Sequence, residues 1–344
     1  MPLWNGTSPT DLLGNASDTG VGRVERVLVP MLDVLILVLG VGGHSVVMFA
    51  PGSMTGTGTD ILLMALSAAD LVLLAMLPFH TVATALQHWP FGEAMCRLVG
   101  FLGSACTSAS VFTLAALAVS RYMTVVRPAR AYSLLSPRRV SVAAALLWIP
   151  ACCLAAPQLI FRYVGNSQPA SDDLACSAFV SHQDQLIYGV LHFVMAFLLP
   201  LVTIAVAYGG IYVFLWRGQH AGRAPQVERY QSKVTQTSAM LVLAFTLCWL
   251  PSYSLTLALL AEESSGATGT YPRYGAFTVF ARFMATSSTV VNPILYVLMS
   301  QKFRQDLLRL FRRKGQRASG AVALAEMKTR DEPPQMWEGS VRRR

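Results

Sequence analysis

Residues 61–79 read ILLMALSAADLVLLAMLPF, an apolar run interrupted by a single charged residue, Asp70. A helix of about 20 mainly apolar residues is long enough to cross the hydrocarbon core of a bilayer. The chain contains six more runs of this kind. The approximate bounds of all seven are 27–50, 60–86, 95–126, 140–161, 185–216, 234–261 and 273–299. The sequence therefore predicts an all-α membrane protein built as one seven-helix bundle, residues 27–299.

The overall composition supports a membrane protein. Only 13% of the 344 residues are charged, whereas 53% are hydrophobic. Soluble domains carry about 25% charged residues, so the composition excludes an ordinary soluble enzyme, a disordered chain, a collagen and a disulfide-rich mini-protein. The net charge is +9, and most of the basic residues lie on one side of the predicted bundle. We therefore expect attraction to anionic membrane lipid and no nucleic-acid partner.

Lysine and arginine residues near the span ends predict the orientation of the bundle. Five lie on the side of the N-terminus and twenty on the opposite side. The five are Arg23, Arg26, Arg97, Arg162 and Arg273. Because basic residues concentrate on the cytoplasmic side, the N-terminal segment 1–26 is predicted to be extracellular, and the glycosylation sequons at Asn5 and Asn15 lie in it. We expect a multi-pass protein of the plasma membrane.

Two of the six cysteines are predicted to lie on the oxidising side of the membrane. Cys96 stands at the outer end of the third span, and Cys176 stands in the outer loop between the fourth and fifth spans. A disulfide between them would hold that loop over the mouth of the bundle. The other four cysteines lie within predicted spans, where we expect small apolar side chains.

Several local motifs distinguish between the classes of seven-span protein. None of the four lysines lies inside a predicted span, as a retinal Schiff base would require, and no internal repeat of the transporter kind is visible. The motifs instead resemble those of the rhodopsin-like (class A) G-protein-coupled receptors. They are LSAAD at 66–70, WPFG at 89–92, SRY at 120–122, Trp148 with Pro157, Pro200 with Tyr208, CWLP at 248–251 and NPILY at 292–296.

This resemblance implies roles for individual residues. Asp70, Ser110 and Asn292 are expected to form a sodium and water site deep in the bundle. Trp249 is expected to form the floor of the ligand pocket, and Arg121 to turn towards Tyr208 and the G protein when the sixth span swings outward. The implied activation switches are Ser120, Arg121, Tyr122, Tyr208, Phe245, Trp249, Pro251, Asn292, Pro293 and Tyr296.

Two positions depart from the family pattern. Gly43-His44 stands where the first span usually has Gly-Asn, and Ser120 stands where an acidic residue usually precedes Arg121. A carboxylate at position 120 would form an ion pair with Arg121, whereas serine offers only a neutral hydrogen bond. We therefore hypothesise raised signalling without ligand. The alternative is an atypical, decoy-like receptor that binds ligand without efficient nucleotide exchange on the G protein.

The ligand class follows from the resemblance as well. Gly103 occupies the position where amine receptors carry an aspartate, and residues 109–122 look like those of galanin and allatostatin-type peptide receptors. This implies a neuropeptide ligand and an inhibitory heterotrimeric G protein, although Ser252-Tyr253 stand where galanin receptors carry histidines. The residues expected to line the pocket are His80, Gln87, Gly103, His192, Trp249, Tyr253, Arg282 and Asp33.

Arg282 is the most informative of these pocket residues. A guanidinium inside a span must face water, a ligand or an acid. One interpretation is a structural ion pair with Asp33, and the other is capture of a peptide carboxylate; the sequence leaves both open. His80 and His192 are predicted to be polar pocket walls rather than metal ligands, because no cysteine or carboxylate clusters with them.

The segment after Met299 is predicted to lie on the cytoplasmic side. In residues 300–312, apolar side chains recur at helical spacing with bases between them, which predicts an amphipathic eighth helix at the membrane surface. Residues 313–344 are polar and predicted to be disordered. The chain shows no P-loop, nucleophile elbow or metal-ligand spacing, so we expect a receptor rather than an enzyme. A seven-span transporter or channel is the less favoured alternative.

Overall fold

The computed structural model describes residues 24–49, 58–166, 174–178, 182–220, 225–264 and 275–299. Two strands, β1 (Arg162–Asn166) and β2 (Leu174–Ala178), pair as an antiparallel hairpin. The helices are α1 (Val29–Phe49, preceded by a π-helical turn at Val24–Leu28), α2 (Gly58–Leu86), α3 (Gly92–Val126), α4 (Pro128–Leu134), α5 (Pro137–Leu146), α6 (Trp148–Phe161), α7 (His182–Phe193), α8 (Leu199–His220), α9 (Pro225–Ser264) and α10 (Gly275–Met299). The predicted helical bundle is confirmed, and the hairpin is the element that the sequence did not indicate.

Each predicted span overlaps one helical stretch over nearly its whole length. The fourth span is built from α5 and α6, which meet at Leu147. The fifth is built from α7 and α8, joined by a π-helical turn at Val194–Leu198. Pro200 follows this turn, and because proline has no N–H it leaves a helical carbonyl without its usual donor. The irregular turn is the local consequence of that missing hydrogen bond.

Five helical stretches of the described chain are long and apolar enough to cross a membrane, judged by length and composition alone. They are Arg26–Met48, Gly58–Leu86, Gly92–Val126, Pro137–Phe161 and Leu186–Gly218. Within α9, a shorter apolar stretch covers Val242–Ala258. The outer faces of the helices expose large apolar side chains, including Val38, Ile149 and Val206. A broad exposed apolar surface of this kind is suited to contact with lipid.

The third helix, α3, lies at the centre of the bundle. It packs against α2, α6 and α8, and its residues 104–111 are all buried. Seven of these eight residues, at positions 104–110, are Ser, Ala, Cys or Thr, and such small side chains let neighbouring helices approach closely. Larger apolar residues fill the main core of the bundle, among them Leu114, Ile204 and Phe245. An internal space lies at the end of the bundle beside the first residue of β1.

Candidate functional site

The disulfide-held hairpin forms one wall of this space. Cys96 of α3 and Cys176 of β2 form the predicted disulfide, with their Cα atoms 5.6 Å apart. Trp89, in the turn between α2 and α3, is buried beside this bond; its backbone N–H donates to the carbonyl of Leu174 at 2.7 Å. Its indole N–H donates to the carbonyl of Gly92 at 2.9 Å. Gly92 has φ = +74°, a conformation that glycine adopts without strain.

A cavity lies between α2, α3, α9, α10 and the first residue of β1. Five residues predicted for the ligand pocket line it: His80, Gly103, Trp249, Tyr253 and Arg282. Further lining residues are Leu73, Met76, Leu77, Val99, Gly100, Ser104, Arg162, Ser252, Thr256, Ala285 and Thr286. The wall is thus mainly apolar with a few fixed polar groups, as in most ligand sites. No acidic residue of the described chain is among these lining residues.

Three residues predicted for the pocket do not line this cavity. Gln87 lies in the turn after α2, with φ = +60°, and its amide donates to the carbonyl of Thr84, so it closes the helix end. His192 is buried behind Tyr253, and its ring nitrogens lie 3.5 Å from the Tyr253 hydroxyl and 3.3 Å from Ser104 Oγ. His192 therefore supports the wall from behind.

The third of these residues, Asp33, forms an ion pair with Arg282. The distance from Arg282 Nη2 to Asp33 Oδ2 is 2.8 Å. Thr81 donates a second hydrogen bond to Asp33 Oδ2 at 3.0 Å, and Arg282 Nη1 donates to the hydroxyl of Thr84 at 2.9 Å. The pair joins α1, α2 and α10. Of the two interpretations left open by the sequence, this geometry matches the structural one.

Arg162 is the lining residue that the sequence reasoning missed. Its position next to the outer end of the fourth span indicated a base at the outer membrane surface. Its side chain is instead only 1% exposed. Nε donates to Gln158 Oε1 at 2.7 Å and Nη1 to Cys176 Sγ at 3.2 Å. Burial lowers the pKa of Arg162 to about 10, so the guanidinium is still charged at neutral pH.

Room for Arg162 is made by Gly100 on α3. A Cβ atom at position 100 would overlap Nε and Cδ of Arg162. The sequence contained one local hint of this arrangement, because Gln158 and Arg162 are four residues apart and such pairs meet at the end of a helix. The contact with Gly100 joins two spans that are distant in sequence, so no local pattern could reveal it.

A second group of polar residues surrounds Asp70 at the centre of the bundle. Ser110 donates to Asp70 Oδ1 at 3.1 Å, and Asn292 Nδ2 donates to Oδ2 at 2.8 Å. His44 Nε2 donates to the carbonyl of Thr289 at 2.8 Å and lies 3.4 Å from Asp70 Oδ2. Groups from α1, α2, α3 and α10 therefore converge on one buried carboxylate.

Aromatic side chains extend from the cavity into the main apolar core of the bundle. The rings of Trp249 and Phe245, one turn apart on α9, are stacked with centroids 5.8 Å apart. Pro251 lies inside the same helix, where a missing backbone N–H allows a bend. A displacement of Trp249 by a ligand would therefore be transmitted directly to Phe245.

The residues of the SRY motif lie near the C-terminal end of α3. Ser120 is buried, whereas Arg121 and Tyr122 are half-buried. Tyr122 packs against α8, where a Cβ at Gly210 would lie 2.6 Å from its Cε2 atom. Tyr208, also on α8, packs against the main apolar core.

The NPILY motif lies in the C-terminal half of α10, where Pro293 is within 2.9 Å of the position that a Cβ of Gly43 would take. The side chain of Tyr296 lies outside the described residues, as do Asn5, Asn15, the predicted eighth helix 300–312 and the tail 313–344. Their predicted roles remain predictions.

The comparison with known sequences decides the family. Residues 46–296 match the family described as "7 transmembrane receptor (rhodopsin family)". The chain belongs to that family. It is 32% identical to human galanin receptor type 3 over 322 residues, which cover 90% of this chain and 86% of that protein. It is 30% identical to mouse galanin receptor type 2 over 331 residues, which cover 93% and 87%. Rat somatostatin receptor type 5 is 28% identical over 328 residues, which cover 90% and 85%.

The resemblance inferred from the motifs is thereby confirmed. This rhodopsin-family receptor is a G-protein-coupled receptor of the peptide-receptor type, a multi-pass protein of the plasma membrane, and not an enzyme.

The oxygen atoms around Asp70 fit a bound cation. Besides the carboxylate and the Ser110 hydroxyl, the buried Oδ1 of Asn292 has no hydrogen-bond partner among the described residues. A carboxylate, a hydroxyl and an unpaired amide oxygen are the ligand types that hard cations prefer. The departure is His44, whose imidazole reaches Asp70 Oδ2 from the side of α1.

Proposed function

We propose that this receptor binds an extracellular neuropeptide of the galanin or somatostatin type in the cavity and activates a heterotrimeric G protein of the inhibitory class. The observation that carries the proposal is the position of Trp249, which lines the cavity and stacks on Phe245 towards the opposite end of the bundle. A peptide that displaces Trp249 would favour the same state of the bundle as a G protein, so each would increase the affinity for the other.

The orientation of the receptor is part of this proposal. The N-terminus, with its sequons at Asn5 and Asn15, faces the outside, and the basic side faces the cytoplasm. Two observations support this orientation: the asymmetry of five against twenty basic residues, and the disulfide at the end of the bundle where the cavity opens.

A G-protein activation assay in cells tests the proposed function. Sensors for individual Gα classes are read without ligand and with galanin and somatostatin peptides. We expect a peptide-dependent signal from the inhibitory class, which Trp249→Leu strongly reduces. The matched control is Leu250→Ala, because Leu250 follows Trp249 in α9 and is 49% exposed on the outer surface. The two variants are compared at equal amounts of receptor on the cell surface. No response to any peptide, or equal responses of both variants, would contradict the proposal.

Ser120 bears on a second candidate function. Without a carboxylate before Arg121, the inactive state lacks the usual ion pair, and we propose raised basal signalling. A decoy-like receptor is the competing candidate, and the observation that favours it is the same serine. The unliganded arm of the assay separates them: basal signal above that of mock-transfected cells supports the first, and ligand binding without any signal supports the second.

We also propose a sodium site at Asp70, Ser110 and Asn292. Bound sodium would supply a positive charge that stabilises the buried carboxylate. The test is the thermal stability of the purified receptor in sodium chloride against choline chloride at equal ionic strength. Sodium should raise the midpoint for the natural sequence but not for Asp70→Asn. Equal midpoints in the two salts would exclude the site. His44→Asn, which restores the usual residue of the family, should increase the sodium effect.

A further inference from the structure

The buried guanidinium of Arg162 forms no ion pair with the described residues. It is charged, it is 1% exposed, and no carboxylate of the described residues lies within ion-pair distance of it. Its two hydrogen bonds go to neutral groups, the amide oxygen of Gln158 and the sulfur of Cys176. A buried charge is normally retained only with a partner, because desolvating it is costly. The structure therefore contains a charge whose partner is not among its described groups.

Arg282, the other cation that lines the cavity, has an ionic partner, unlike Arg162. Arg282 is held by Asp33 and Thr84, so its charge is already compensated. Arg162 has Nε and Nη1 occupied, whereas Nη2 makes no hydrogen bond to the described chain. Since Arg162 lines the cavity, an anion that enters from outside can reach it. A carboxylate is the group whose geometry matches a guanidinium edge best.

The surroundings of Arg162 also select the type of anion. The cavity presents apolar side chains, among them Leu73, Met76 and Val99, and its lining contains no acid that would repel an anion. Arg282 also lines the cavity, but its charge is compensated by Asp33, so Arg162 is the lining cation that an anion would neutralise. A small inorganic anion would leave the apolar wall uncovered, whereas a carboxylate on an apolar or aromatic peptide residue would cover both kinds of surface.

From this geometry we infer that Arg162 is the ligand-specificity residue of the receptor, and that it binds a carboxylate of the peptide ligand beside an apolar side chain. The inference rests on the proposed function, because it concerns the same cavity. It differs from one of the two interpretations that the sequence left open, in which Arg282 captures the carboxylate. The carboxylate has two sources in a peptide, the C-terminus and an acidic side chain, and the experiment separates them.

The experiment uses three capped dipeptides and the purified full-length receptor. Acetyl-Phe-Gln-amide is neutral, acetyl-Phe-Glu-amide carries a side-chain carboxylate, and acetyl-Phe-Gln with a free C-terminus carries a terminal carboxylate. Apparent affinities come from the shift of the thermal unfolding midpoint with probe concentration. A charged hydrogen bond strengthens binding by roughly 10- to 100-fold, so at least one carboxylate dipeptide should bind that much more tightly than the neutral one. The tighter one identifies the source.

Variants then assign the preference to one arginine. Arg162→Gln should abolish the carboxylate preference, and Arg162→Lys, which keeps the charge, should retain part of it. Arg97→Gln is the matched control, since Arg97 is 40% exposed and pairs with Glu93 outside the cavity lining. Arg282→Gln should leave the preference in place. Equal binding of all three dipeptides to the natural receptor, no binding at millimolar concentration, or a preference that survives Arg162→Gln would each overturn the inference.

A second pair of variants keeps every charge and guards against misfolding of Arg162→Gln. Gly100→Ala inserts a methyl group against Nε of Arg162, whereas Gly209→Ala, on α8 and outside the cavity lining, meets nothing within 4 Å. Only the first should weaken the carboxylate preference, and equal effects of the two would contradict the assignment to Arg162. The outcome is independent of G-protein coupling: carboxylate binding without peptide-dependent signalling would refute the proposed function alone, and signalling without carboxylate preference would refute this inference alone.

Discussion

Removal of either member of the Asp33–Arg282 pair should destabilise the receptor more than removal of both. The two atoms in contact are 2.8 Å apart, and the side chains are 4% and 16% exposed. At an effective dielectric constant of about 20, unit charges at that distance attract by roughly 6 kcal/mol. Desolvation offsets much of this attraction, and breaking one buried pair typically costs about 3–5 kcal/mol. Because Arg282 is partly exposed, we expect about 3 kcal/mol for Asp33→Asn.

The assay is a double-mutant cycle on the thermal unfolding midpoint of purified receptor. At about 2 °C per kcal/mol, Asp33→Asn should lower the midpoint by about 6 °C, and Arg282→Gln by a similar amount. The double variant should lose less than either single variant, and exchange of the charges by Asp33→Arg with Arg282→Asp should recover part of the loss. Thr81→Val gives a smaller reference effect, since it removes one neutral hydrogen bond to the same carboxylate.

Additive losses in the cycle would refute this reasoning, because they would mean that the two charges do not interact. The reasoning would also be refuted if Asp33→Asn left the unfolding midpoint unchanged and the exchange of charges recovered no stability. Peptide potency is measured in parallel. If Arg282→Gln abolished peptide potency without any change in the unfolding midpoint, the function of Arg282 would be to bind the ligand and not to pair with Asp33.

Three further predictions concern single side chains. Gly43→Ala should lower the unfolding midpoint, because the new methyl would lie 2.9 Å from Pro293 Cγ, whereas the neighbouring Gly42→Ala meets nothing within 4 Å and should be neutral. An equal effect of both would contradict the close contact of α1 and α10. Gly103→Leu fills open space in the cavity and should reduce peptide potency at least tenfold with an unchanged midpoint; unaltered potency would place the ligand elsewhere. Ser120→Asp should lower basal G-protein activation by restoring the usual ion pair of the family, and an unchanged basal signal would refute the role given to the serine.

The sequence predicted the bundle well, because the local composition of a segment is sufficient to identify it as a membrane span. Each span is an apolar run of sufficient length, and no long-range information is needed to find it. The disulfide was predictable for a similar reason, since Cys96 and Cys176 are the cysteines assigned to the oxidising side. The β1–β2 hairpin was not predictable, because its ten residues carry no alternation strong enough to be distinguished from a polar loop.

The pocket was predicted less completely than the bundle, and the errors have one physical origin. Gln87 and His192 were placed in it by their spacing from the family motifs, but this spacing does not determine the direction of a side chain. His192 points behind Tyr253, and Gln87 turns back to the end of its own helix. Side-chain direction depends on helix rotation, and helix rotation depends on packing between helices that are distant in sequence.

Five charged residues inside the bundle differ in how their charges are compensated. Four of them were predicted from the sequence, and the fifth, Arg162, was not. Asp33 and Arg282 neutralise each other, and Asp70 accepts hydrogen bonds from two other helices. Arg121 also has an interaction partner. Arg162 alone of these five is buried against neutral groups only, beside the cavity in which a ligand would lie. A structural role in fixing the hairpin needs hydrogen bonds but no charge, so the retention of a charge there is best explained by a partner that arrives with the ligand.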